Sequence, residues 1–132
     1  MKRWLQRAGG VFLGYAFAEL LLHAARASAY GLKAQTLAGK LGALLFGVAV
    51  LAGCIVWLKR RFPRSFYHGF IVSTGLFFSF DIVAFHWIFG LHRITDGPEA
   101  NVLEPILVAV GCFLLVRGLR DELRFQKRNE ND

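Results

Sequence analysis

Apolar residues in this chain fall into four long blocks separated by short polar breaks. The blocks run over about Ala8 to Ala29, Gly39 to Leu58, Gly69 to Leu91 and Asn101 to Leu119. A membrane-crossing helix needs roughly 20 mostly apolar residues, and each block is about that long. The breaks are Tyr30-Gly31-Leu32-Lys33, Lys59 to Arg64 with Pro63 inside it, and Arg93 to Pro98. In the third break Asp96 and Glu99 stand at capping-box spacing with Pro98 beside them, which predicts the start of a fourth helix. The pattern predicts an all-α fold, a four-transmembrane-helix bundle forming one integral membrane domain over residues 1–132. Residues 120–132 are expected to be a cytoplasmic tail, a short helical extension that frays near Asn129.

Composition supports lipid as the solvent. Of 132 residues, 55% are hydrophobic and only 19% charged, whereas a soluble domain carries about 25% charged residues. A chain this small has a large surface for its volume and would need more polar cover in water, not less. That excludes an ordinary soluble enzyme, a disordered chain and a disulfide-built secreted scaffold. Cys54 and Cys112 both lie in apolar runs and are expected to be buried free thiols.

The net charge of +7 does not imply nucleic acid, because the basic residues sit between the apolar blocks. Lys2, Arg3 and Arg7 precede the first block. Lys59, Arg60, Arg61 and Arg64 follow the second, and Arg117, Arg120, Arg124, Lys127 and Arg128 end the chain. The third break has only Arg93, and the first break is flanked by Arg26, Lys33 and Lys40. By the positive-inside rule both termini are expected to be cytoplasmic, in a multi-pass inner (plasma) membrane protein. Residues 1–29 also resemble a signal peptide ending at Ala27-Ser28-Ala29. Glu19, His23 and Arg26 argue against cleavage and keep the segment as a span. The expected partners are the lipid bilayer and a second copy or a larger membrane complex.

Gly10 and Gly14 on the first span, and Ala43/Gly47 and Ala49/Gly53 on the second, have the small-xxx-small spacing of packed membrane helices. Trp4, Trp57 and Trp87 lie toward span ends, as interfacial aromatics do. His68, beside Tyr67, reads as interfacial with no special role.

Ionisable residues inside spans are costly and mark candidate sites. They are Glu19 and His23 in the first span, Asp81 and His86 in the third and Glu104 in the fourth, with His92 closing the third. At a helical rise of 1.5 Å per residue, Glu19 and Asp81 fall near midplane and His23, His86 and Glu104 in the outer half. Glu19, His23 and Arg26 share one helix face. Asp81 and His86, five apart, face one way only if a π-bulge intervenes; otherwise they meet different neighbours.

The run Asp81-Ile-Val-Ala-Phe-His86-Trp-Ile-Phe-Gly90-Leu-His92-Arg93 resembles the second half of the bacterial four-helix membrane family catalogued as domain of unknown function 2243. That family shows an acidic residue, His at plus five, a Gly-Leu step and one or two further His. Asp81, His86, Gly90 and His92 match it, and Glu104 matches loosely the acid that opens the next helix. The family's paired histidines are reduced here, since Phe85 and Trp87 flank His86 and Arg93 follows His92. Only Glu19 and His23 represent the family's motif in the first half. The resemblance implies topology and site location, and no activity. Gly14, Glu19 and His23 weakly echo Gly75, Asp81 and His86, as two pseudo-repeated hairpins would.

Three functions follow as expectations. The first is a metal or haem site, with His23, His86, Glu104 and Asp81 as ligands and Glu19, His92 and Arg26 as supporting or relay groups. Zn, Cu, Fe or haem would suit such donors. The second is a proton or ion relay in an oligomer, which the same acids and imidazoles would serve. The third is a non-catalytic assembly or structural partner of a larger membrane complex. Whether the chain is an enzyme stays open.

Overall fold

The computed structural model describes residues 2–31 and 36–131, with side chains at 22 and 24–31 left aside. The first break around Leu32 and Lys33, and the Arg26 side chain, lie outside the described residues. The architecture is all-helical. Helix α1 spans Arg3–Gly31, α2 Leu37–Arg61, α3 Arg64–Leu76 and α4 Ala100–Glu130. Between the last two, α3 runs on without a break into a π-helical segment, Phe77–Ile88.

Local chemistry explains the helix ends. Thr36 caps α2, its hydroxyl oxygen accepting from Gly39 N–H at 3.2 Å. Phe62 is extended (φ −116°, ψ 157°) because Pro63 follows it, so only two residues separate α2 from α3. At α4 the cap position is Glu99 and not Asp96, with the preceding turn closed by Ala100 N–H to the Gly97 carbonyl at 3.2 Å. The expected capping box gives way to a link between elements, in which Lys40 Nζ meets Glu99 Oε1 at 3.3 Å.

Among the described residues, three helical stretches are long and apolar enough to cross a membrane: Leu37–Arg61, Arg64–Ile88 and Ala100–Glu130. The expected helical extension beyond Leu119 is present, and α4 stays helical to Glu130, one residue past the expected fraying point.

Helix α3 packs between α1 and α4. It runs parallel to α1, since Gly9 meets Phe66, Gly14 meets Phe70 and Ser73, and Tyr15 stacks edge-on with Phe77. It runs antiparallel to α4 in a single register: Val72 meets Gly118, Gly75 meets Leu115 and Ser79 meets Gly111. The register depends on backbone proximity. A Cβ at Gly75 would lie 2.5 Å from the Leu115 nitrogen and 2.7 Å from the Gly111 carbonyl oxygen, so no side chain fits there. Buried Phe70, Phe77, Phe78 and Ala18 fill the core of this three-helix unit, with Leu51 and Leu58 reaching in from α2.

Helix α2 is peripheral, packing on α1 and, more slightly, α3. Nothing lies near where side chains at Gly42 and Gly53 would be. The two hairpins are therefore not equivalent in packing. Both cysteines are free, but Cys112 is exposed and Cys54 half-buried, against the expected burial. Gly111 faces Ser79 across the α3–α4 contact, which turns its neighbour Cys112 outward.

Candidate functional site

The π segment decides the geometry. Its hydrogen bonds run from i to i+5, so residues five apart stack along one face instead of splaying. Asp81 and His86 are thus brought together, with His86 Nε2 at 3.9 Å from Asp81 Oδ2. The segment closes at Gly90, whose φ of +60° is the left-handed conformation that glycine adopts without a Cβ penalty. That turn folds the chain back and sets the His92 ring edge-on to His86, with centroids 4.5 Å apart. One donor atom from each of Asp81, His86 and His92 can be chosen so that all three lie within 4.8 Å of one another.

Glu104 supports this trio from α4. It is fully buried, yet both carboxylate oxygens are well supplied with donors. Oε1 accepts from His86 Nδ1 (2.9 Å), the Ile94 backbone N–H (3.1 Å) and, at longer range, Arg93 Nε (3.4 Å). Oε2 accepts from a terminal Arg93 nitrogen (2.8 Å) and Trp87 Nε1 (2.9 Å). Arg93 also donates to the Asn101 side-chain oxygen at 2.9 Å. The carboxylate favours the protonated guanidinium and raises the Arg93 pKa above its ordinary value. An acid gripped by a guanidinium fork and two N–H groups serves as acceptor on both oxygens. Glu104 thus engages His86 through Nδ1, which leaves Nε2 on the side of Asp81 and His92.

His23 and Glu19 stand at the margin. The His23 ring lies 6.3 Å from that of His92, and its Nδ1 is 3.3 Å from the Glu19 carboxylate and 2.8 Å from the Glu19 carbonyl oxygen. Both side chains are substantially exposed. His92, expected as a supporting group, stands with the inner donors. Glu104, expected as a ligand, has its oxygens occupied by its own donors. Arg93 and Trp87, which the sequence reading passed over, are the groups that occupy them.

A second buried pair lies near the other end of the α3–α4 hairpin. His68 Nδ1 and Glu122 Oε2 are 2.6 Å apart, and Glu122 Oε1 accepts from Arg7 Nε at 2.6 Å and the Ser65 hydroxyl at 3.1 Å. Arg7 also meets the Gln126 side-chain amide, whose oxygen accepts from the guanidinium when the amide is oriented to satisfy both groups. His68 is thus a buried residue that joins two helices, where one with no special role was expected. One signal could have found the pair: Glu122 stands eighteen residues after Glu104, and His68 eighteen before His86. In the regular α-helix of α4 eighteen residues are five turns, so the two glutamates share one face.

Comparison with known proteins adds no identity: no family model, curated protein or solved structure matches this chain.

Proposed function

We propose that this chain is a four-span membrane protein that holds one divalent metal ion at Asp81, His86 and His92, beneath a carboxylate–imidazole support made by Glu104. The observation that carries the reading is the convergence of those three donors within 4.8 Å. Metal bonds of about 2 Å would bring such atoms to within roughly 4 Å of one another, so side-chain shifts of about 1 Å complete the set. Metal-bound imidazoles characteristically donate their second N–H to a carboxylate or carbonyl, and His86 donates to Glu104. Two imidazoles and one carboxylate suit Zn²⁺ or Fe²⁺ and leave a position for water or substrate. An ion fits better than haem, because the 4.5 Å contact between the His86 and His92 rings leaves no slot for a porphyrin. On this reading both termini are cytoplasmic and the metal lies in the outer half of a bacterial inner membrane, an orientation that the excess of Lys and Arg at the chain ends and after α2 supports. The likeness of Asp81 to His92 to the four-helix family fits that plan.

Elemental analysis of the purified full-length chain after Zn²⁺ or Co²⁺ loading tests the reading. One ion per chain is expected, with a loss of at least tenfold in affinity in His86→Ala and His92→Ala. In His23→Ala the ion is retained. Protein that stays metal-free, or loading unchanged in the His86→Ala/His92→Ala double variant, would overturn it.

A second reading, a proton relay, draws on the line of buried polar groups along α3 and its π extension: Ser65, His68, Ser73, Thr74, Ser79 and Asp81. The Ser73, Thr74 and Ser79 hydroxyls donate to carbonyls of their own helix, Phe70 or Gly75, which is what mid-helix hydroxyls ordinarily do. This weakens the relay against the metal reading. Proton flux into liposomes abolished by Asp81→Asn would favour it; absence of flux would discard it.

A further inference from the structure

The C-terminal half of α4 carries a feature the metal site does not use. Val116, Leu119, Arg120, Leu123, Arg124 and Lys127 line a shallow groove of about 490 Å³ along the outer side of the helix. Their spacing of three, four and seven places them on one face. Glu122 lies on the opposite face, turned to α1 and α3. The groove grades from apolar to basic toward the chain end. Val116, Leu119 and Leu123 are each about half exposed or more, and the cations stand at 120, 124 and 127.

Two acids on the same stretch of α4 are already engaged. Asp121 pairs with Arg117 at 3.7 Å, and Glu122 is held by Arg7, His68 and Ser65. Among the described residues no ion pair engages Arg120, Arg124 or Lys127. Depth agrees with the gradient. Glu104 marks the outer polar cluster, and Arg120 lies sixteen residues further along, about 24 Å by helical rise. In a hydrocarbon layer of about 30 Å, that sets Leu119 and Arg120 close to the opposite headgroup boundary. There basic side chains extend toward phosphates while their stems stay with apolar neighbours.

We infer that this face is a binding site for an anionic phospholipid, with the phosphate among Arg120, Arg124 and Lys127 and an acyl chain along Val116, Leu119 and Leu123. The apolar half distinguishes it from a site for a free anion, and the three unpaired cations distinguish it from generic lipid contact. The inference rests on the membrane reading and is independent of the metal.

Native mass spectrometry of the detergent-purified full-length chain, titrated with short-chain phosphatidylglycerol, phosphatidylcholine and inorganic phosphate, tests it. Saturable binding of phosphatidylglycerol is expected, with phosphatidylcholine and phosphate at least tenfold weaker. Each juxtamembrane cation contributes about fivefold, so Arg120→Gln/Arg124→Gln/Lys127→Gln should weaken binding on the order of a hundredfold. Arg60→Gln/Arg61→Gln, which removes charge from the end of α2, should leave it within about twofold. If the triple variant misfolds by circular dichroism, single Arg124→Glu carries the same test. Equal binding of the two lipids, phosphate binding as tight as lipid binding, or equal losses in the groove and α2 variants would each overturn the proposal. Loss of lipid binding with metal loading intact would separate its success from that of the metal site.

Discussion

Helix α4 presents a fully buried and a partly buried glutamate to α3 and its π extension, and each holds a histidine. At the end that the charge pattern reads as inner, Glu122 takes His68, Arg7 and Ser65. At the end it reads as outer, Glu104 takes His86, Arg93, Trp87 and the Ile94 backbone. The pairs look alike, yet their surroundings give them different capacities. The His68 ring packs edge-on against Phe125 and beside Tyr67, so apolar groups meet it where His86 meets Asp81 and His92. One pair fastens three helices; the other aims a nitrogen at two more donors. A histidine–carboxylate contact is thus a fastening by default, and becomes a candidate metal site when further donors stand on the imidazole's free side.

The largest expected effect comes from breaking the outer pair. Glu104→Ala leaves Arg93, Trp87, His86 and the Ile94 N–H without their acceptor. Leaving His86 Nδ1 and the Ile94 N–H without a partner costs about 1–3 kcal/mol each, while the part-exposed Arg93 can turn to water and Asn101. Thermal or denaturant unfolding should register that loss, and metal loading should vanish with it. Glu122→Ala should cost less, about 1–3 kcal/mol, because fewer donors depend on it and Glu122 is only partly buried, so water can take its place. Metal loading in Glu122→Ala should equal wild type, and an equal loss in both variants would erase the distinction between the pairs.

A smaller effect tests the turn that only the outer cluster has. Gly90→Ala forces a side chain into the left-handed region at a cost of about 1–2 kcal/mol, with open space around the new Cβ. Metal affinity should fall with it, because His92 is the donor which that turn positions. Unchanged affinity, measured by competition with a chelator, would show that His92 is not a ligand.

The smallest effect concerns the loop above the outer cluster. Glu99 is held below the ordinary carboxyl value of 4.5 first by its own backbone N–H, with Thr95 and then Lys40 adding to it. A depressed folded-state pKa contributes stability that is present above that value and lost as pH falls through the folded one. Glu99→Gln should therefore match wild type in an acid unfolding series only at its most acidic end, and be slightly less stable above about pH 4.5. Equal stability at every pH would show that the Lys40 contact does not fasten α2 to the α4 start.

Much of the fold was legible in the sequence. Three of the four apolar blocks lie within the helices observed, the third overruns its helical stretch by three residues past Ile88, and Gly10 and Gly14 do meet α3 closely. The shortlist of acids and imidazoles contained all three donors of the candidate site. The Glu104 network was not legible, because Arg93 reaches it only through the fold-back at Gly90 and Trp87 only from the π-helical segment before it. The role of His68 was equally hidden, since its partner lies fifty-four residues away in what reads as a polar tail.

Composition and periodicity determined what could be determined locally: which segments are helical, which are apolar enough for lipid, and which residues are costly to bury. These follow from the side chain and its near neighbours. The tertiary structure decided the rest. A five-residue spacing is indifferent until the helix takes i to i+5 hydrogen bonds, and a glutamate is an available ligand until an arginine from a distant turn closes on it. Bond pattern and partner saturation depend on which backbones approach one another. Here that was decided by the single register in which α4 lies against α3.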